Sequence, residues 1–322
     1  MSAVPDLSSR PAWHRWRPGR VAFAYILLLA LFAVVGMINS QFLHWDSVRV
    51  QLILAAFVGI AAIGQTLAIL IGQIDLSIPW TITASAIVMG NVYNATGSSL
   101  TALLAAAGIG LAVGLLNGVG VALFRVNALI WTISVNLLVQ GATLIYTNTS
   151  APSATIPPVA TALASGRLFG LPAAFITWAA LSAVVLVVLH RTVLGRRIYA
   201  QGTSEEVVLM SGLNPLTTIF TVFVISGLCA ALVGAMLAGY SGQTYLGMGN
   251  PYLLIPIAAV VLGGTSLSGG SGGYLGTVAG VLIMILLDSL LASLQIGQGL
   301  RSVIFGAIVI VMLLLFRPRS AA

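Results

Sequence analysis

The chain contains no lysine. A phosphate-binding loop of the Walker A kind needs a lysine to reach the β- and γ-phosphates, so this chain cannot carry one. A Schiff-base mechanism on a lysine amine is excluded for the same reason. Cysteine is almost missing too. Cys229 stands alone in an apolar run, so no disulfide can form within the chain. The three histidines, His14, His44 and His190, are far apart and have no metal-ligand spacing. Charge is equally scarce. Only 6% of the 322 residues are charged, against roughly a quarter in an ordinary soluble domain. The acids are Asp6, Asp46, Asp75, Glu205, Glu206 and Asp288, and the 13 basic residues are all arginine.

What remains is apolar. Hydrophobic residues make up 59% of the chain, and its mean hydropathy is +1.09. A water-soluble protein cannot hide that much apolar surface. The composition excludes a soluble enzyme, a disordered tail and a secreted disulfide scaffold. It reads as an all-α polytopic membrane protein. A formal net charge of +7 would by itself admit a nucleic-acid partner. The arginines, however, sit at the ends of apolar runs, where membrane topology explains them and no nucleic acid is needed.

A spanning helix needs about 20 mostly apolar residues. The chain offers runs at 21–38, 50–71, 80–93, 100–124, 128–146, 173–189, 216–240, 251–262, 274–294 and 302–316. Some are short or broken, and 251–262 crosses only with help from its neighbours. The first run follows Arg10, Arg15, Arg17 and Arg20, as a signal peptide would. Asn39-Ser40-Gln41 after it offers no small-residue cleavage site, so a retained first helix is expected. Residues 147–172 form a loop rich in Ser, Thr, Pro and Gly. Residues 191–214 are the longest polar stretch inside the chain.

The positive-inside rule tests about ten crossings. With the N-terminus in the cytoplasm, Arg10, Arg15, Arg17, Arg20, Arg125, Arg191, Arg196, Arg197, Arg317 and Arg319 fall inside. Arg49, Arg167 and Arg301 fall outside. Dropping one early crossing would send the Arg191 cluster outside, so an even count before it is favoured. Both termini are then cytoplasmic.

A short internal repeat is visible. Residues 71–77, IGQIDLS, align with 262–268, LGGTSLS, and each segment closes one apolar run and opens another. Duplicated halves with broken helices at matching places are a transporter habit.

Few residues carry chemistry. Asp75 lies between two apolar runs, and a carboxylate in hydrocarbon costs several kcal/mol, so such groups face a cavity, a partner or water. Pro79 behind it interrupts a helix. Asp75 is either a polar site or hinge beside a translocation path, or the cap of an ordinary turn. Asp288, inside the ninth run, either lines a cavity or helps helices pack. Gly110, Gly114 and Gly118 fall on one helix face and read as a packing stripe. Asn117, Asn136 and Gln140 are uncharged polar groups in apolar helices. They suit a hydroxyl-rich solute or interhelical hydrogen bonds. The run 263–273, GGTSLSGGSGG, lacks a basic residue for phosphate and reads as a flexible turn between broken helices. Gly202-Thr203-Ser204 before Glu205-Glu206 resembles a helix start, with Gly212 as its end. Such an exposed helix between two spans is either a docking element or a surface helix without a partner.

These stretches together resemble the ribose-type permease subunits of bacterial ABC importers. Gly72-Gln73-Ile74-Asp75-Leu76-Ser77 is similar to the family's G-G-I-D-L-S-V-G. Gly114 to Gly118 is similar to its G-L-x-N-G, and Leu129-Ile130-x-Thr132 to its F-I-x-T. Gly195 to Gly202, followed by Ser211-Gly212, resembles its cytoplasmic signature, and Ala258 to Leu267 is the closest match. The resemblance implies ten spans with both termini inside the bacterial inner membrane. Tails 1–20 and 318–322 would flank one permease domain, 21–317, with a cytoplasmic coupling loop at 191–215 and a periplasmic loop at 147–172. It further implies a second permease chain, an ATPase subunit that holds ATP and magnesium, and a periplasmic solute-binding protein. No cofactor is expected on this chain itself. Glu206-Val207-Val208-x-x-x-Gly212 keeps the Glu-to-Gly spacing of the importer loop that docks on the ATPase, making Gly202, Glu205, Glu206 and Gly212 the coupling candidates. Asp75, Ser77, Asn117, Asn136, Gln140 and Asp288 are the path candidates. Gly72, Pro79, Gly263, Gly264, Gly269 and Gly270 are the hinge or turn candidates. The expected cargo is a monosaccharide or similar polyol. A nucleoside, a branched-chain amino acid or a furanose signal is the alternative, and a proton-coupled transporter working through Asp75 or Asp288 is a different class. A membrane-embedded enzyme would need paired carboxylates, a His cluster or a Ser/His/Asp set inside the spans, and none is visible.

Overall fold

The computed structural model describes residues 18–38, 40–148, 155–204, 208 and 214–315. Glu205, Glu206 and Gly212 lie outside the described residues. Twelve α-helices occur among the described ones. They are α1 (Pro18–Ile38), α2 (Trp45–Leu70), α3 (Ile78–Thr96), α4 (Ser99–Gly118), α5 (Ala128–Tyr146), α6 (Pro158–Ser165), α7 (Ala173–Arg191), α8 (Val193–Thr203), α9 (Pro215–Ser241), α10 (Ile255–Leu262), α11 (Tyr274–Ser293) and α12 (Gln298–Leu315). A π-helical turn, Val119–Leu123, prolongs α4.

Among the described residues, seven helices are long and apolar enough to cross a membrane: α1, α2, α4 with its π turn, α5, α7, α9 and α11. The other three apolar runs became α3, α10 and α12. Helix α10 has eight residues, about 12 Å of rise, so it reaches only part-way through a bilayer. The protein is thus a polytopic membrane bundle with short, interrupted helices beside full ones. Leu29, Leu104 and Leu137 are well exposed on its outer face, a surface that suits lipid rather than water.

Local signals explain the helix ends. Asn127 and Asn214 cap α5 and α9 by accepting the backbone N–H groups of Leu129 and Leu216, both at 2.9 Å. Pro79 does not break a helix. It sits in the first turn of α3, where its missing N–H is not needed.

Helix α9 is the axis. The Gly110-Gly114-Gly118 stripe of α4 lies directly on it. A Cβ at Gly114 would stand 2.6 Å from the Phe223 carbonyl oxygen, and one at Gly110 would enter the Gly227 carbonyl. The stripe is a packing surface, as the sequence reading had it. Trp178, Tyr274 and Gly59 fasten α7, α11 and α2. The Trp178 indole N–H donates to the Tyr274 hydroxyl at 2.7 Å, which donates to the Gly59 carbonyl at 2.9 Å.

Two regions differ from expectation. The loop 147–172 is not plain loop. It holds α6 and a small hairpin pairing Arg167–Leu168 with Leu171–Pro172. Gly239 of α9 lets α6 approach, since a Cβ there would strike the Ala160 backbone. The polar stretch holds a helix ahead of the one expected to start at Gly202-Thr203-Ser204, which itself lies mostly outside the described residues. Helix α8 runs Val193–Thr203, capped by the Thr192 hydroxyl at 3.4 Å. Gly202 lies in the last turn of α8.

Candidate functional site

The segment between α2 and α3 folds back into the bundle. Helix α2 closes with a Schellman cap: the Gly72 N–H donates to the Ile69 carbonyl and the Gln73 N–H to the Ala68 carbonyl, both at 2.9 Å. Gly72 has φ +76°, the left-handed conformation that favours glycine. Helix α10 closes the same way. The Gly264 N–H donates to the Val261 carbonyl at 2.9 Å and the Thr265 N–H to the Val260 carbonyl at 3.3 Å, with Gly264 at φ +87°.

The repeat seen in sequence is therefore a repeat in structure, with one correction. Gly72 is equivalent to Gly264, not to Gly263. Past the cap the original register returns. The Ser77 N–H donates to the Asp75 carboxylate at 2.9 Å, and the Ser268 N–H to the Ser266 hydroxyl at 3.3 Å. The first copy holds one more residue between cap and turn. Gly263 instead provides close approach, for a Cβ there would stand 2.5 Å from the Thr277 nitrogen on α11.

Asp75 is the centre of the re-entrant segment. Its Oδ1 accepts the Ser77 hydroxyl at 2.6 Å as well as the Ser77 N–H, and its Oδ2 accepts the Ser226 hydroxyl of α9 at 2.6 Å. The Asn117 amide of α4 donates to the Ser77 hydroxyl oxygen at 2.8 Å. All four residues are at most 2% exposed. Gly64 of α2 makes room for Ser226, because a Cβ there would stand 2.6 Å from the Ser226 Cα and Oγ. One carboxylate thus binds a broken-helix segment to α9 and, through Ser77, to α4.

Helix α5 holds the same segment from the other side. The Thr132 hydroxyl oxygen accepts the Leu76 N–H at 2.9 Å. Asn136, one turn on, accepts the Trp80 N–H at 3.2 Å and so caps α3. Gln140 follows a turn later and is half-buried. Three path candidates (Asp75, Ser77 and Asn117) therefore share one network, and Asn136 stands beside it. Asp288 does not. It ends up near the far end of α11, where its carboxylate accepts a charge-assisted hydrogen bond from Arg301 at 3.0 Å.

Ser226 and Thr132 are the partners that sequence reading missed as site residues. Thr132 was flagged only through its motif. Ser226 carries a weak local signal, since Gly227 beside it is the residue that meets Gly110. A second omission is Gln65. It is fully buried in α2, and neither amide atom has a partner; Ser85 Oγ on α3 and Asn117 Oδ1 are likewise unpaired.

A helical membrane bundle whose broken helices meet at a buried polar knot belongs to the transport class of folds. Comparison with known proteins narrows this. Residues 48–313 match the family described as branched-chain amino acid transport system / permease component, and the chain belongs to that family. It is a permease subunit, not an enzyme. It is 32% identical over 299 residues to the ribose import permease protein of Escherichia coli K12, covering 90% of this chain and 91% of that one. It is 28% identical over 323 residues to the L-arabinose ABC transporter permease protein of Azospirillum brasilense, covering 97% and 93%. It is 29% identical over 291 residues to the autoinducer 2 import system permease protein of Yersinia pseudotuberculosis, covering 89% and 87%. No solved structure matches the chain.

Proposed function

We propose that this chain is the transmembrane permease subunit of a bacterial ABC importer. It resides in the inner membrane and moves a monosaccharide or similar polyol inward by alternating access. The relatives named for ribose and arabinose carry this reading, over nine-tenths or more of the chain. The interior chemistry fits it. Gln65, Ser85 and Asn117 leave uncharged donors and acceptors unpaired in the interior, the kind of group that hydrogen-bonds a hydroxyl-rich solute. A furanose signal is the second cargo, favoured by the autoinducer 2 relative.

In this reading about ten segments cross the membrane, α3, α10 and α12 included, and both termini are cytoplasmic. Residues 21–317 are one permease domain. The chain binds no nucleotide. A separate ATPase holds ATP and magnesium and docks on the loop 191–215 through Glu205, Glu206 and Gly212. A second permease chain completes the pore, and a loaded binding protein docks on the loop 147–172. Asp75, Ser77 and Asn117 fix the re-entrant segment beside the path. Gln140 lies along that path, while Asp288 serves α11–α12 packing.

Mild solubilisation of the tagged chain from its native host, followed by identification of what co-purifies, tests this. A Walker A ATPase in comparable amount is expected. A chain that purifies alone and moves solute in liposomes without ATP overturns the proposal.

A further inference from the structure

Helix α8 does not hang free below the bundle. Its last turn is wedged between the two loops that close α2 and α10. A Cβ on Gly202 would overlap the Leu70 carbonyl oxygen and the Gly270 nitrogen. Reciprocally, a Cβ on Gly269 would stand 2.8 Å from both the Gly202 carbonyl oxygen and the Gly72 nitrogen. Three backbones therefore touch with no side chain between them.

Hydrogen bonds lock the contact. The Gly270 N–H donates to the Leu70 carbonyl at 2.9 Å, joining the second loop to the end of α2. The Tyr199 hydroxyl, one turn before Gly202, donates to the Gly272 carbonyl at 3.0 Å. Burial pushes the Tyr199 phenol up to about 12, so it keeps its proton and its bond across the physiological range.

The geometry points to a single transmission joint. We propose that Gly202, Gly270 and Tyr199 link α8 rigidly to both re-entrant loops, so that one displacement of α8 moves the two loops together. The first loop leads within three residues from Gly72 to Asp75. A shift at Gly202 thus acts on the hydrogen bonds that Ser226 and Ser77 donate to Asp75. Helix α8 runs directly into the segment proposed to meet the ATPase, so this inference rests on the importer reading. It adds where the motion enters the bundle and what it acts on. The three are positioning residues, for none of them has to touch solute.

Close packing of backbones transmits displacement because neither side can yield by rotating a side chain. Gly202→Ala must separate the three segments, since the obstructing atoms belong to main chain. Tyr199→Phe removes one hydrogen bond and keeps the ring packed.

The test reads motion at the first loop without needing the solute. In the complete complex, with Cys229→Ser, a Gln73→Cys reporter is labelled by a maleimide with and without ATP and vanadate. With the joint intact, nucleotide should change the labelling rate about fivefold or more, in the range of ordinary coupling between sites. Gly202→Ala should abolish that change while the complex still hydrolyses ATP, and Tyr199→Phe should reduce it. A purely structural role would lower assembly and hydrolysis together. If Gly202→Ala fails to assemble, Tyr199→Phe decides alone. Unaltered nucleotide response in a variant that assembles overturns the joint. A complex with the joint intact that contains no ATPase would instead overturn the importer reading.

Discussion

Replacing Asp75 separates a structural carboxylate from a proton carrier. Asp75 accepts three hydrogen bonds, from the Ser77 N–H, the Ser77 hydroxyl and the Ser226 hydroxyl. Asp75→Ala strands all three donors in a site where every partner is at most 2% exposed. Each stranded buried donor costs about 1–3 kcal/mol, so the sum is roughly 3–9 kcal/mol. That approaches the whole stability of an ordinary domain, about 5–15 kcal/mol. Asp75→Ala should therefore fail to accumulate in the membrane. Asp75→Asn keeps a carbonyl oxygen for both Ser77 donors. Its amide N–H₂ faces the Ser226 hydroxyl, which turns from donor to acceptor. The exchange costs on the order of 1 kcal/mol. Asp75→Asn should reach near-normal levels and retain ATP-driven uptake. Both variants are measured by membrane yield, by size-exclusion profile in mild detergent and by uptake. Asp75→Asn at full yield without uptake would refute the reasoning and make titration of Asp75 part of transport. Normal accumulation of Asp75→Ala would refute it from the other side.

Other perturbations have worked-out directions. Thr132→Val removes the acceptor of the half-buried Leu76 N–H and should cost about 1 kcal/mol, whereas Thr132→Ser should keep thermal stability. Gly114→Ala places a methyl 2.6 Å from the Phe223 carbonyl oxygen. It should cost at least as much stability as a typical overpacked core, about 1–3 kcal/mol, read as a lower melting temperature in detergent. Asp288→Asn, breaking a partly exposed pair with Arg301, should cost no more than about 1 kcal/mol and leave uptake intact. Loss of uptake at normal yield would place Asp288 in the path.

The apolar runs were legible because length alone separates a span from a core helix. Run 128–146 became α5 with unchanged bounds. The Gly110-Gly114-Gly118 face was legible because its spacing of four has one packing meaning. What escaped was everything that depends on distant chain. Ser226 looks like any serine in an apolar helix, and only the fold brings it to Asp75, 151 residues away. Helix α8 escaped because its glycines and arginines mask its periodicity, and its Gly202 read as a boundary rather than a contact. The repeat was visible, but its register was misjudged by one at the cap. Gly72 and Gly263 look alike in letters, while positive φ falls on Gly72 and Gly264.

One measurement bears most directly on the central claim. The chain is reconstituted in liposomes with its co-purified ATPase, and uptake of a labelled monosaccharide panel, delivered by its binding protein, is followed with ATP on the ATPase side. The account predicts uptake that requires ATP and that persists when an uncoupler collapses the proton gradient. Uptake by the chain alone, independent of ATP and abolished by the uncoupler, would contradict it.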